Sequence, residues 1–212
     1  IALILIKTSP VLRFINSFAV VALVLLVLVT TQHQIWSPYY RIDALAADES
    51  GKVPVYVNQF FFQQMVDFDK DTLAREKYQL PYLATAPQGV LILGAGSGND
   101  VAMALRQESV LHIDAVEIDP AIAELGKKLH PSRPYDDTRV TLHIDDARSF
   151  LQKTDTRYDL IMLGTLDSHA LLSARSTVRL DNFVYTQEAL QDIKSHLTED
   201  GLAVALFSIP KP

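Results

Sequence analysis

The sequence predicts an α/β fold, a doubly wound parallel sheet with helices on both faces, and three observations predict it. The aliphatic run Val90 to Leu93 stops at a turn containing Gly94, Gly96 and Gly98, and a helical pattern starts at Asp100; this is how a strand buried on both faces hands over to a helix. Short aliphatic runs then recur, each separated from the next by a stretch with helical spacing, which calls for a parallel sheet. Two of those runs end in carboxylates, Glu117 and Asp146, at the edge where open α/β sheets hold their ligands.

In chain order, Phe14 to Thr30 is interrupted only by Asn16 and Ser17, and extended back to Val11 it is about 20 residues, roughly 30 Å as a helix. A transmembrane helix over about 11–30 is therefore expected within an N-terminal segment, 1–35. No A-x-A cleavage site follows it, so it does not read as a cleaved signal. Ile1 to Ile6 reads as the tail of a preceding span. The first residue is Ile, so the chain reads as a piece of a longer one. Lys7 and Arg13 would lie in a cytoplasmic loop, which sends the following domain across the membrane. That conflicts with the cytoplasmic side expected for the cofactor discussed below. A bacterial-type inner membrane is the expected location, with the lipid bilayer as one partner.

Residues 36–87 form a lead-in. Arg41 to Leu45 and Val53 to Val57 read as a β-hairpin, and 59–80 as a helix carrying Gln63, Gln64, Tyr78 and Gln79. The α/β domain occupies 88–212. Its strands are Val90–Leu93, His112–Val116 ending in Glu117, Val140–Ile144 ending in Asp145 and Asp146, Tyr158–Leu163, and Leu202–Phe207. The helices run from Asp100, from Pro120 to Leu129, from Arg148 to Lys153 and from Gln187 to Leu197, the last with Thr186 as its N-cap. The chain stops just after the fifth strand, and an uncovered edge there invites a second copy to pair as a homodimer.

Composition narrows the chemistry. Cysteine is absent, which removes disulfides and thiolate catalysis, and the six histidines show no ligand spacing, so no metal is expected. Lys7 and Arg13 are the only charged residues before position 31; the rest carries 17 Lys/Arg against 25 Asp/Glu. That surface repels nucleic acid and mildly favours a cationic small substrate.

The glycine spacing decides among nucleotides. A dinucleotide fingerprint needs its third small residue at 99, where Asn stands, which makes NAD the weaker reading. The G-x-G-x-G form resembles the class I S-adenosylmethionine-dependent transferases, with their Rossmann-like sheet. A glycine-rich turn without any ligand remains the plain alternative. Glu117, 19 residues past Gly98, could accept both hydrogen bonds from a ribose diol, and Asp146 could take the adenine amine while the Ala147 N–H meets the ring.

Beyond these motifs, residues 53–208 resemble the spermidine/spermine synthase family of polyamine aminopropyltransferases, most closely its membrane-embedded branch. The resemblance rests on Gln63-Gln64, Tyr78-Gln79, Val90 to Gly98, Val116-Glu-Ile-Asp119, Asp146-Ala-Arg148, Tyr158-Asp-Leu-Ile with Asp167, and the segments His130–Tyr135 and Arg179–Tyr185. It implies that Gly94, Gly96, Gly98, Glu117, Asp146 and Ala147 hold S-adenosylmethionine or its decarboxylated form, and that Gln79 and one of Gln63 or Gln64, here Gln64, line the pocket. It also implies that the fourth strand carries the catalytic acids. Asp167, Ser168 and His169 read either as a polar cluster at that strand's edge facing the reacting centre, with Asp167 and His169 as the catalytic candidates, or as a solvated loop; Asp181, Asn182 and Tyr185 read either as a lid over the site or as the start of the next helix. The synthases place acids where this chain has Leu80, Ser97 and Gly164. Their loss removes the expected base and should weaken a purely cationic cofactor relative to ordinary S-adenosylmethionine. The expected function is a membrane-anchored transferase moving a methyl or aminopropyl group to a small amine such as a polyamine. Its alternatives are a non-catalytic adenosyl-binding module and an NAD-dependent oxidoreductase.

Overall fold

The computed structural model describes residues 10–31, 35–39, 41–164 and 185–205. Two compact units divide the chain, Ile1–Gln34 and Ile35–Pro212.

In the first unit, helix α1 (Pro10–Thr31) covers the described part of the apolar N-terminal run. Its large side chains, Val11, Phe14, Phe18, Leu23 and Leu26 among them, are exposed. The expected transmembrane span is not borne out: among the described residues no helix is long and apolar enough to cross a membrane.

The second unit opens with a four-stranded antiparallel sheet in the order β1 (Ile35–Trp36), β2 (Arg41–Ala44), β3 (Val53–Val57), β4 (Phe60–Met65). The hairpin of β2 and β3 lies where the sequence puts it. The helix expected over 59–80 does not form as such. Val57 pairs with Phe60 across a two-residue turn, Asn58 and Gln59, both at positive φ (50° and 72°). This turn sends the three phenylalanines that follow back along β3, as aromatic side chains favour. Helix α2 (Thr72–Gln79) begins only after Asp71, whose carboxylate accepts the Ala74 N–H at 2.9 Å.

The main sheet has five parallel strands in the order β7 (Val140–Ile144), β6 (His112–Glu117), β5 (Gly89–Leu93), β8 (Tyr158–Leu163), β9 (Leu197–Ala205). Its helices are α3 (Asn99–Ala104), α4 (Pro120–Leu129), α5 (Ala147–Lys153) and α6 (Gln187–Ser195). Strand β9 starts five residues earlier than expected and takes Gly201 into the strand, because Leu197 pairs with Tyr158 across a register shift. Thr186 caps α6 as expected, accepting the Ala189 N–H at 3.1 Å. Strand alternation fills both faces: Val90, Ile92, Leu160 and Met162 pack with Val101 and Ala104 of α3, while Leu91, Leu93, Ile161 and Leu163 pack with α5 and α6. The strand order reverses between β5 and β8, and the crevice beyond their carboxyl ends is where such sheets bind ligands.

One side chain ties this edge to everything around it. The Asn99 carboxamide opens α3 and makes four hydrogen bonds. Its Oδ1 accepts from the Val66 N–H (3.0 Å) and from His130 Nε2 (3.1 Å), and its Nδ2 donates to Gln64 O (2.7 Å) and the Tyr78 hydroxyl (3.2 Å). The small sheet, α2 and the residue after α4 are thereby fixed to the glycine turn. The His130 tautomer follows from this geometry: Nε2 carries the proton, while Nδ1 accepts the Ser132 N–H. Burial holds the ring well below the usual histidine range, at about 4, so it stays neutral.

Replacing Asn99 by Ala orphans several buried partners together, so Asn99→Ala is expected to lose on the order of 3 kcal/mol of stability in chemical denaturation. A loss within about 0.5 kcal/mol would show that the carboxamide is not what holds these elements together.

Candidate functional site

Gly94, Gly96 and Gly98 all lie at positive φ (75°, 58° and 105°) as the chain turns from β5 into α3. Side chains are excluded there on contact as well as conformation: a Cβ on Gly96 would sit 2.8 Å from Gln63 Oε1, and one on Gly98 would sit 2.7 Å from Pro134 Cγ. Neighbouring groups lock the turn. The Tyr135 hydroxyl donates to Gly96 O at 2.8 Å, and Glu117 Oε2 accepts the Gly96 N–H at 2.7 Å.

Glu117 ends β6 and points at the turn. Its other oxygen accepts the Asp119 N–H at 2.8 Å, so the carboxylate braces the turn and the start of α4 together. Burial raises its pKa, partly offset by these N–H donors. Each of its oxygens has further lone-pair capacity for a hydroxyl donor. Asp146 stands at the tip of the neighbouring strand, partly buried, and its Oδ1 caps α5 by accepting the Ser149 N–H at 2.9 Å. Ala147 is the first residue of α5, so its N–H has no partner within the helix.

The structure places the glutamines differently from the expectation. Gln63 pairs with Val55, and Gln64 with Pro54, so they face opposite sides of β4. It is Gln63 that reaches Gly96, while Gln64 contributes its backbone carbonyl to Asn99. Gln79 lies at the far end of α3 from the glycine turn, where it lines an open hollow of ≈ 270 Å³ with Arg75, Met103, Arg106 and Gln107. Strand alternation combined with the β3 register distinguishes Gln63 from Gln64, and that register was not available from the sequence. Asp167, Ser168, His169, Asp181 and Asn182 lie outside the described residues.

Gly164 has a clear steric basis. A Cβ there would lie 2.5 Å from Gly94 O, so at this backbone the end of β8 and the turn after β5 approach too closely for an acid. Asp100, in the first turn of α3, is only 7% exposed and its Oδ1 has no hydrogen-bond partner. Burial pushes it up to about 7. Gln63 Nε2, Ser97 Oγ and Asp119 Oδ2 are likewise buried without a partner. Thus four polar atoms left unsatisfied lie on the turn or on residues packed against it, although buried polar groups are normally satisfied. Among the described residues no cluster could hold a metal.

Residues 78–207 match the spermine/spermidine synthase domain. The polyamine aminopropyltransferase 2 of Bacillus cereus is 32% identical over 129 residues, 58% of this chain and 33% of that protein. The polyamine aminopropyltransferase of Buchnera aphidicola is 29% identical over 166 residues, 73% of this chain and 55% of that protein. The chain therefore spans between a third and just over half the length of these relatives. A solved spermidine synthase from Thermotoga maritima superposes with a TM-score of 0.61 at 23% identity, over 82% of this chain and 56% of that one. A spermidine synthase solved in complex with the transition state analogue AdoDATO gives 0.61 at 22%, over the same shares. At these identities the likeness shows the fold.

Asp100 makes a test independent of any ligand. Its folded form keeps a proton, up to about pH 7, that the unfolded chain releases near pH 4. Its contribution to stability therefore worsens as pH rises across that window. Asp100→Asn is expected to raise the unfolding free energy at pH 8 by on the order of a few kcal/mol in chemical denaturation, and to match the parent near pH 4. Parallel pH profiles of the two proteins would mean that the carboxyl is solvated or paired.

Proposed function

Because the chain belongs to the spermine/spermidine synthase domain family, we propose that it is a transferase whose crevice seats an adenosyl sulfonium, S-adenosylmethionine or its decarboxylated form, and moves a methyl or aminopropyl group to a small amine. The observation that carries this reading is the group of unsatisfied buried polar atoms, Gln63 Nε2, Ser97 Oγ, Asp100 Oδ1 and Asp119 Oδ2, around a turn too tight for side chains. Such atoms cost stability unless a ligand or ordered water completes them.

The residues present fit that ligand. Glu117 would receive the ribose hydroxyls, since its oxygens already face the turn and retain lone pairs. The second oxygen of Asp146 and the Ala147 N–H would read the adenine edge, and Gln63 would cover the turn from above. When bound, the sulfonium supplies an electrophilic carbon and a neutral thioether leaving group. The protein's part is to orient that carbon, exclude water and receive the acceptor's proton; Asp167 and His169 are the proposed groups for the last task. An NAD reading is disfavoured because the third small position is filled by Asn99, whose carboxamide is committed to four protein bonds.

The steric closure at Gly164 favours one second reading, a binding module without turnover. Measured transfer to any amine removes it. Contact of α1 with a bilayer is likewise a proposal, resting on its exposed aliphatic side chains. On the same footing, a second copy pairing along β9, the strand at one edge of the main sheet, is a proposal.

Calorimetric titration with 5′-methylthioadenosine, the thioether left after aminopropyl transfer, is expected to show binding. Glu117→Ala should weaken it at least about tenfold through loss of charged hydrogen bonds to the ribose. Unchanged affinity in that variant would remove Glu117 from the site.

A further inference from the structure

The loop over 130–139, between α4 and β7, is fastened to both ends of α3. At its start His130 Nε2 donates to Asn99 Oδ1 at 3.1 Å, and the Ser132 N–H turns back onto His130 Nδ1. At its end the Arg139 guanidinium donates to Asp137 Oδ2 at 3.0 Å, to Leu105 O at 3.1 Å and to Val110 O at 3.3 Å. Between these anchors Arg133 takes a left-handed φ of 43° and a short helical turn, Pro134–Asp136, carries Tyr135 into the interior. The ring lies against two residues without side chains: a Cβ on Gly98 would sit 3.2 Å from Tyr135 Cε2, and one on Gly126 of α4 only 2.8 Å from it. Tyr135 is therefore held in place by its ring and by both ends of its loop.

Its hydroxyl ends on Gly96 O at 2.8 Å, and burial pushes the phenol up, so it remains a donor. On the other side of the same residue Glu117 Oε2 accepts the Gly96 N–H at 2.7 Å. Gly96, with no Cβ, could otherwise swing between conformations; the two bonds hold the peptide before it and the peptide after it. Glu117 depends on this. Its last torsion joins a tetrahedral carbon to a planar one and is soft, so hydrogen bonds rather than a rotamer set the plane of the carboxylate. Two of those bonds are internal, from the Gly96 and Asp119 N–H groups, and the lone pairs left for a ligand point where these two leave them.

We infer that Tyr135 is a positioning residue for the ribose: by holding Gly96 it fixes the plane in which Glu117 presents its remaining lone pairs, and so sets how strictly the crevice requires a ribose diol. This rests on the adenosyl reading above. Removing the hydroxyl alone leaves the ring and its packing in place, frees Gly96 to turn, and lets the carboxylate turn with it.

The test is calorimetry on the whole chain with 5′-methylthioadenosine and with its 2′,3′-dideoxy counterpart, which keeps the base and the thioether and lacks the diol. Chemical denaturation of each variant first establishes that it is folded. The parent is expected to favour the diol by at least about tenfold. Tyr135→Phe should lower that ratio roughly threefold to tenfold, through weaker binding of methylthioadenosine and nearly unchanged binding of the dideoxy ligand. In a Glu117→Ala background, where the ratio has already collapsed, Tyr135→Phe should change it no further. A purely structural role would lower stability, or weaken both ligands equally, and leave the ratio as it was.

An unchanged ratio in Tyr135→Phe, or the same fall in ratio with and without the Glu117 carboxylate, would overturn the inference while leaving the adenosyl site standing. A parent that binds both ligands alike overturns it together with the ribose role of Glu117. No binding of methylthioadenosine by the parent would overturn both the inference and the adenosyl reading.

Discussion

The carboxamide of Asn99 is the constraint on which the arrangement of the crevice depends. A carboxamide offers two donors and two acceptor lone pairs, and all four are spent on protein groups from β4, α2 and the end of α4. The bonds are buried, where a hydrogen bond is strong and an unmade one costly, so the turn after β5 cannot shift without several elements shifting with it. Glu117 and Tyr135 then act on a turn already fixed, one holding the Gly96 N–H and the other the Gly96 carbonyl. Preorganisation of this kind has a direct consequence: polar atoms not used by the network, on Gln63, Ser97 and Asp100, cannot relax toward partners of their own.

Polar satisfaction is therefore uneven across the same few residues. Asn99 is saturated while its neighbour Asp100 is not, and both are nearly fully buried. Elsewhere in the sheet, the buried Asp114 shows what a structural carboxylate looks like. It receives Tyr158 Oη at 2.8 Å, His143 Nε2 at 2.7 Å and His112 Nε2 at 3.0 Å. Burial pushes Asp114 up, but these bonds outweigh it and hold it below the usual carboxylate range. Asp100 has burial without bonds, and its pKa moves the other way. The contrast separates a carboxyl that stabilises the fold from one that burdens it, and sites that handle charge are where such burdens are retained.

Much of the main sheet was legible in the sequence because its central strands are buried on both faces. The apolar runs at β5 and β8, each ended by a glycine, give nearly the observed limits. The lead-in was harder to read. Phe60-Phe61-Phe62-Gln63-Gln64-Met65 has no clear period, and its turn, Asn58-Gln59, lacks the glycine that usually marks a hairpin, so in sequence the strand reads as part of a helix. The first residues of β9 read as a polar turn and become a strand only through pairing with Tyr158. In the site, spacing alone points to the glycines and Glu117, whereas assigning Gln63 in place of Gln64 needs the register of β4 on β3. Asp100 reads in sequence as an ordinary first-turn acid; only burial and the absence of a partner single it out.

The central claim is that the glycine turn, Glu117 and the strand tips form one cradle for an adenosyl sulfonium. A crystal structure of the chain soaked with decarboxylated S-adenosylmethionine tests it most directly. The account predicts density across the carboxyl ends of β5, β6 and β7, with the ribose on Glu117. Density in the hollow beside Gln79, or a crevice filled by the protein's own side chains with no ligand bound, would contradict it.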